Sequence, residues 1–141
     1  MDTTVFVAVI TAGASIILSA LSFFLTKKKE REAELRKQKL DSYTELLSAL
    51  SNLTGKDVTL ESKKRLAHIV NHIWLISPYS VTKALINFLD ESSDSNRGKL
   101  SQSRHDKLLT ILLYAIREDL GVKSNNFDQN FEFRLWSATK N

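Results

Sequence analysis

From Val5 to Leu25 the chain runs for 21 residues without a charged side chain, and no other feature constrains its fold as strongly. At about 1.5 Å rise per residue, a helix of that length reaches about 30 Å, the thickness of a bilayer's hydrocarbon core. A secretory signal would open on basic residues and close on a small-residue cleavage site. Here the chain opens Met1-Asp2-Thr3-Thr4 and its basic cluster follows the apolar run, so residues 1–26 are expected to stay attached as a single transmembrane helix.

The formal charge of +4 would ordinarily raise nucleic acid as a partner, so its position matters. Lys27, Lys28, Lys29, Arg31, Arg36, Lys37 and Lys39 stand against Glu30, Glu32 and Glu34, which places a net +4 between residues 27 and 39 and leaves the rest of the chain summing to zero. A basic cluster beside an apolar span is a topology signal: Lys and Arg remain on the cytoplasmic side. The expected location is therefore a cell inner membrane, with the N-terminus out, a basic juxtamembrane stalk over 27–39 and the remaining domain inside. Lys27, Lys28, Lys29 and Arg31 are the membrane-proximal basic residues, with anionic headgroups as a secondary contact weakened by the three glutamates. Nucleic acid is not expected as a partner.

Within the span, Ala8, Thr11, Ala12, Ser15, Ser19 and Ser22 recur at spacings of three and four and share one helical face. Bulky Phe6, Ile10, Ile17, Leu21 and Phe24 are left to meet acyl chains. Small faces let helices approach closely in lipid, so a homo-oligomer is the natural inference. The competing reading is that the hydroxyls bond only to their own helix carbonyls.

The remaining sequence predicts an all-α fold, the span continuing into a cytoplasmic bundle of about four helices. With 1 Pro and 4 Gly there is little punctuation, and no alternating β-branched runs appear. No breaker interrupts Leu25 to Asn52, so one long helix is expected, packing after Leu40 through Leu40, Tyr43, Leu46, Leu47, Leu50 and Leu53. Thr54-Gly55-Lys56-Asp57 should end it. A second helix over Thr59–Ile76 carries the stripe Leu66, Ile69, Val70, Ile73 and Ile76. Ser77-Pro78 reads as an N-cap followed by Pro at the first helical position of a third helix, which runs to about Glu91 and faces its neighbours with Val81, Leu85, Phe88 and Leu89. Asp90 to Ser103 reads as a protease-sensitive connection. From about Arg104 to Gly121, the run Leu108 to Ile116 is apolar on nearly all sides and reads as a central helix. The helical domain thus covers 40–121. Residues 122–141 form an aromatic segment with Phe127, Phe131, Phe133, Leu135 and Trp136, either tucked onto the core or docking a partner, with a short extended stretch at Phe131 to Leu135.

Ser77-Pro78-Tyr79-Ser80-Val81-Thr82-Lys83-Ala84-Leu85, followed by Ala115-Ile116-Arg117-Glu118-Asp119-Leu120-Gly121, resembles a pattern in uncharacterised bacterial proteins with one N-terminal anchor. The likeness covers roughly Leu40 to Gly121 and is sharpest at the Arg-x-Asp-Leu-Gly ending. It implies a membrane anchor with a small helical cytoplasmic domain, and it implies no activity.

Signs of chemistry are sparse. With 0 Cys there are no thiol nucleophiles, disulfides or Cys-ligated metals. His68 and His72 share a helical face, but a zincin helix needs Glu after its first His, and here Ile69 follows. Neither a phosphate loop nor paired catalytic carboxylates can be assembled from local context. No catalytic residue, metal site or cofactor is assigned, and the chain is not expected to be an enzyme. Arg117 and Asp119 close an otherwise apolar helix; they read either as structural, Arg favouring the C-terminal dipole, or as part of an anionic-ligand pocket with Lys63, Lys64, Arg65 or Lys83.

Two functions follow as expectations. In the first, a self-associating membrane adaptor recruits a protein partner that the sequence does not identify. In the second, binding of a small anionic ligand such as a nucleotide makes the spans perturb or permeabilise the bilayer; the layout resembles that of cyclic-nucleotide-gated membrane effectors of bacterial defence, at the level of architecture.

Overall fold

The computed structural model describes residues 2–53, 58–92, 102–123 and 130–135. All regular structure among them is helical: α1 is Thr3–Leu53, α2 Leu60–Ile76, α3 Tyr79–Glu91 and α4 Gln102–Asp119. The all-α, four-helix expectation holds. Two compact units divide the chain, Met1–Lys37 and Gln38–Asn141, and α1 contributes to both.

In the first unit no described residue is buried, although Val5 to Leu25 is the most apolar part of the chain. This part of α1 is long and apolar enough to cross a membrane. Its helicity follows from uninterrupted helix formers, and after Thr26 from charged pairs such as Lys27–Glu30, whose Nζ and Oε2 lie 3.2 Å apart.

The second unit has one core. Leu46, Ile73, Val81, Leu85, Leu109 and Leu112 are fully buried at 0% exposure, with Tyr43, Ala49, Leu50, Ile69, Phe88 and Ile116 around them. Burying each large aliphatic side chain contributes about 1.5–3 kcal/mol, which offsets the backbone ordering of these helices. Burial in α1 begins at Ser42, and Leu40, expected to pack, is 51% exposed. The reason is angular. At about 100° per residue, Leu40 falls outside the arc shared by Ser42, Tyr43, Leu46, Ala49 and Leu50.

The helix ends explain the chain's turns. Thr59 caps α2: its hydroxyl accepts from Ser62 N at 3.1 Å while Ser62 Oγ accepts from Thr59 N at 3.4 Å, a capping box with Ser in place of the usual Glu. Ser77 closes α2 rather than opening α3, because its N–H bonds Ile73 O at 3.0 Å. Pro78 therefore occupies the cap of α3, its carbonyl accepting from Thr82 N at 3.1 Å, one residue earlier than the first helical position expected for it. Asp90 and Glu91 belong to α3, and Gln102 and Ser103 to α4, so the expected connection is shorter at both ends. Residues 93–101 and 54–57 lie outside the described residues.

α3 packs against α4, and their distal ends are joined by Arg104 and Glu91, whose Nη2 and Oε1 lie 2.7 Å apart, and by Phe88 against His105 with ring centroids 5.1 Å apart. The Arg104 guanidinium holds the Glu91 carboxyl below the usual range. α4 is not covered on all sides: Leu109, Leu112, Ala115 and Ile116 are buried, whereas Ile111 is 56% exposed. It ends in a Schellman motif, with Gly121 N bonding Glu118 O at 3.0 Å and Val122 N bonding Arg117 O at 2.8 Å. Gly121 has φ 75°, the left-handed conformation that this cap requires.

The described part of the C-terminal segment lies on α4. Phe133 N donates to Thr110 Oγ1 at 2.9 Å, the Phe133 ring meets Tyr114 edge-on at 5.4 Å, and Leu135 packs against the core. Residues 131–135 form neither helix nor strand. Phe127 and Trp136 are outside the described residues.

Candidate functional site

The small-residue face of the apolar run is exposed. Ala8, Thr11, Ala12, Ser15, Ser19 and Ser22 are all exposed and fall within about 100° of arc on the helix. Three of its hydroxyls spend their protons on their own helix: Thr11 Oγ1 donates to Val7 O at 2.9 Å, Ser15 Oγ to Thr11 O at 3.0 Å and Ser19 Oγ to Ser15 O at 2.8 Å. Their donors are thereby satisfied without a partner helix. Each oxygen still has acceptor capacity, and each small side chain still permits close backbone approach. The face is thus better suited to packing than to strong interhelical hydrogen bonding.

Lys27, Lys28, Lys29 and Arg31 are exposed beyond the apolar run. Lys27 folds back over the Phe23 ring, 5.6 Å from its centroid, while pairing with Glu30. The same ammonium thus faces both a ring and a carboxylate, a cation–π contact beside an ion pair.

Arg117 and Asp119 have different roles. The Arg117 carbonyl accepts the Schellman bond from Val122, as placement in the last turn of α4 dictates. The Asp119 carboxylate is turned toward α1: Lys39 Nζ reaches Oδ1 at 2.9 Å and the Tyr43 hydroxyl donates to Oδ2 at 2.6 Å. Lys39 and Asp119 are 16% and 10% exposed in their side chains, and Tyr43 is 1% exposed. Burial, the hydrogen bond to Asp119 and the negative charge of Asp119 all push the Tyr43 hydroxyl's pKa above its ordinary value. Both carboxylate oxygens are therefore committed to tying the end of α4 to α1. No protein-family model, curated protein or solved structure matches the chain.

Lys39 was grouped with the basic stalk in the sequence, yet it belongs to the second unit and is neutralised there. The signal was present: Lys39, Tyr43, Leu46 and Leu50 follow the spacing of one helical stripe. A second polar cluster gave no sequence signal. Asp106 is buried, with Arg134 Nε 3.6 Å from Oδ2 and His105 Nδ1 3.6 Å from Oδ1. Thr110 Oγ1 donates to Asp106 O at 2.7 Å and accepts from Phe133 N, which links α4 to the C-terminal segment.

His68 and His72 are exposed on α2, and among the described residues no group of three or more His, Cys, Asp or Glu could hold a metal. A cleft of about 350 Å³ lies between α1 and α2, lined by Ala49, Asn52, Thr59, Glu61, Ser62 and Arg65. Arg65 alone of the basic residues considered for an anionic-ligand pocket lines it. Glu61 beside it lowers the cleft's suitability for an anion.

Proposed function

We propose that this protein is a single-pass inner-membrane adaptor: α1 anchors it, the small-residue face mediates self-association, and the second unit recruits a protein partner from the cytoplasmic side. The observation carrying this reading is the uncovered apolar surface of α1. Ile16, Ile17, Leu18 and Phe24 are at least 62% exposed, and 0% of the most apolar window of the helix is buried by the chain itself. Exposing that much contiguous apolar surface to water is strongly unfavourable, whereas lipid or neighbouring spans would cover it. The basic residues 27–31 support N-terminus-out orientation. Commitment of Asp119 to Lys39 and Tyr43 supports an adaptor over a receptor built on the Arg117–Asp119 end of α4.

Retention in the membrane pellet after alkaline carbonate extraction tests the anchor, and release into the supernatant would remove it. Oligomer size in nanodiscs should fall for the double variant Ser15→Leu, Ser19→Leu; unchanged size excludes this face from the interface. The adaptor also predicts no dye leakage from liposomes on adding cyclic nucleotides, while a gated effector predicts leakage.

A further inference from the structure

The sum of zero outside the stalk conceals a strongly polarised distribution. Ser62 to Leu89, which covers nearly all of α2 and α3, contains Lys63, Lys64, Arg65 and Lys83 and none of the chain's 16 Asp and Glu residues. All four basic side chains are exposed. The same two helices carry apolar side chains turned away from the core: Leu75 is 82% exposed, Tyr79 77%, Ile86 42% and Trp74 36%.

Their spacing brings charge and apolar surface together. On α2, Lys64, His68, Asn71 and Leu75 fall on one stripe, opposite buried Ile69, Val70 and Ile73. On α3, Tyr79, Lys83 and Ile86 do the same, opposite Val81, Ala84, Leu85 and Phe88. Only Ser77 and Pro78 separate the helices, so Trp74, Leu75 and Tyr79 lie close in sequence at the junction of α2 and α3. This combination of acid-free basic flanks with an exposed Trp, Tyr and Leu tip fits the boundary region of an anionic bilayer. There, amphipathic rings sit at headgroup depth and each nearby Lys or Arg contributes about 1 kcal/mol. A merely solvated pair of helices has no need of such apolar exposure, or of an acid-free stretch from Ser62 to Leu89.

We infer that the exposed stripes of α2 and α3 form a peripheral anionic-lipid-binding surface, with Trp74, Leu75 and Tyr79 entering the headgroup region and Lys64 and Lys83, which share the stripes of Leu75 and Tyr79, contacting phosphates. The inference rests on the membrane reading above, because anchoring by α1 keeps α2 and α3 at high local concentration near lipid.

The absence of Cys permits single spin labels on the full chain. Labels at Leu75→Cys and Tyr79→Cys are compared with Lys107→Cys on α4 and Ile17→Cys in α1, in nanodiscs of phosphatidylcholine alone or with phosphatidylglycerol. All four positions are exposed, and circular dichroism checks that each variant keeps its helicity. Expected at positions 75 and 79 is a rise in the oxygen-to-nickel accessibility ratio on adding phosphatidylglycerol, reversed by Lys64→Glu with Lys83→Glu, with position 107 unchanged. Values at 75 and 79 equal to those at 107 in both lipids overturn the inference. Shielding of 75 and 79 from both reagents also overturns it, in favour of a second copy or an acidic protein. A lipid-exposed label at 17 with aqueous labels at 75 and 79 sinks this inference alone, whereas an aqueous label at 17 sinks the membrane reading with it.

Discussion

The Tyr43 hydroxyl donates to Asp119 Oδ2 at 2.6 Å, across 76 residues of sequence, from a side chain only 1% exposed. Removing the acceptor leaves a buried hydroxyl and a mostly buried ammonium unsatisfied. Asp119→Ala is expected to cost at least about 1–3 kcal/mol, and Asp119→Asn less, because the amide oxygen can still accept from Tyr43 while losing the Lys39 ion pair. Urea midpoints of the full chain in detergent micelles should rank wild type above Asn and Asn above Ala. Equal midpoints for the two variants would mean the hydroxyl bond contributes nothing.

Burial of the same hydroxyl sets a pH dependence. The folded-state pKa of Tyr43 is raised, chiefly by burial, so the folded chain holds this proton more tightly than the unfolded one. Its contribution is fully present below the unfolded value of about 10 and is lost as pH rises above it. Thermal melts from neutral pH to beyond pH about 10 should fall more steeply for wild type than for Tyr43→Phe. Parallel curves for the two proteins would exclude Tyr43 as the titrating group.

Thr110 Oγ1 is the link between α4 and the segment around Phe133. Thr110→Val preserves shape but removes the acceptor, at a cost of about 1–2 kcal/mol. Amide exchange at Phe133 should accelerate while exchange in α2 stays at the wild-type rate. Equal exchange at Phe133 in both proteins would show that ring packing on Tyr114 holds the segment by itself.

Gly121 closes α4 at φ 75°. Gly121→Ala forces a Cβ into the left-handed region and is expected to destabilise by about 1–2 kcal/mol. A shift confined to the end of α4, seen as faster exchange at Val122, is the accompanying signature. A gain in stability would mean that the cap rearranges.

Legibility in the sequence followed the range of the interactions. The stripes Ile69, Val70, Ile73 and Val81, Leu85, Phe88 were readable, and all six residues are buried, because helical period and core-facing side coincide locally. Leu40 and Ile111 were misread for one reason: apolar identity alone does not say which arc of a helix a neighbour covers. Both lie outside the buried arc of their own helix and stand exposed.

By itself, the sequence determined the all-α class, the 21 uncharged residues of α1 and its unbroken course to Leu53, since helix propensity and hydropathy are properties of neighbouring residues. Only the tertiary structure decided that Asp119 answers Lys39 and Tyr43, that Asp106 and Thr110 receive the C-terminal segment, and that Leu75 and Tyr79 remain uncovered. Lys39 and Asp119 are 80 residues apart in the chain, and no local pattern encodes which charges closure of the bundle brings together.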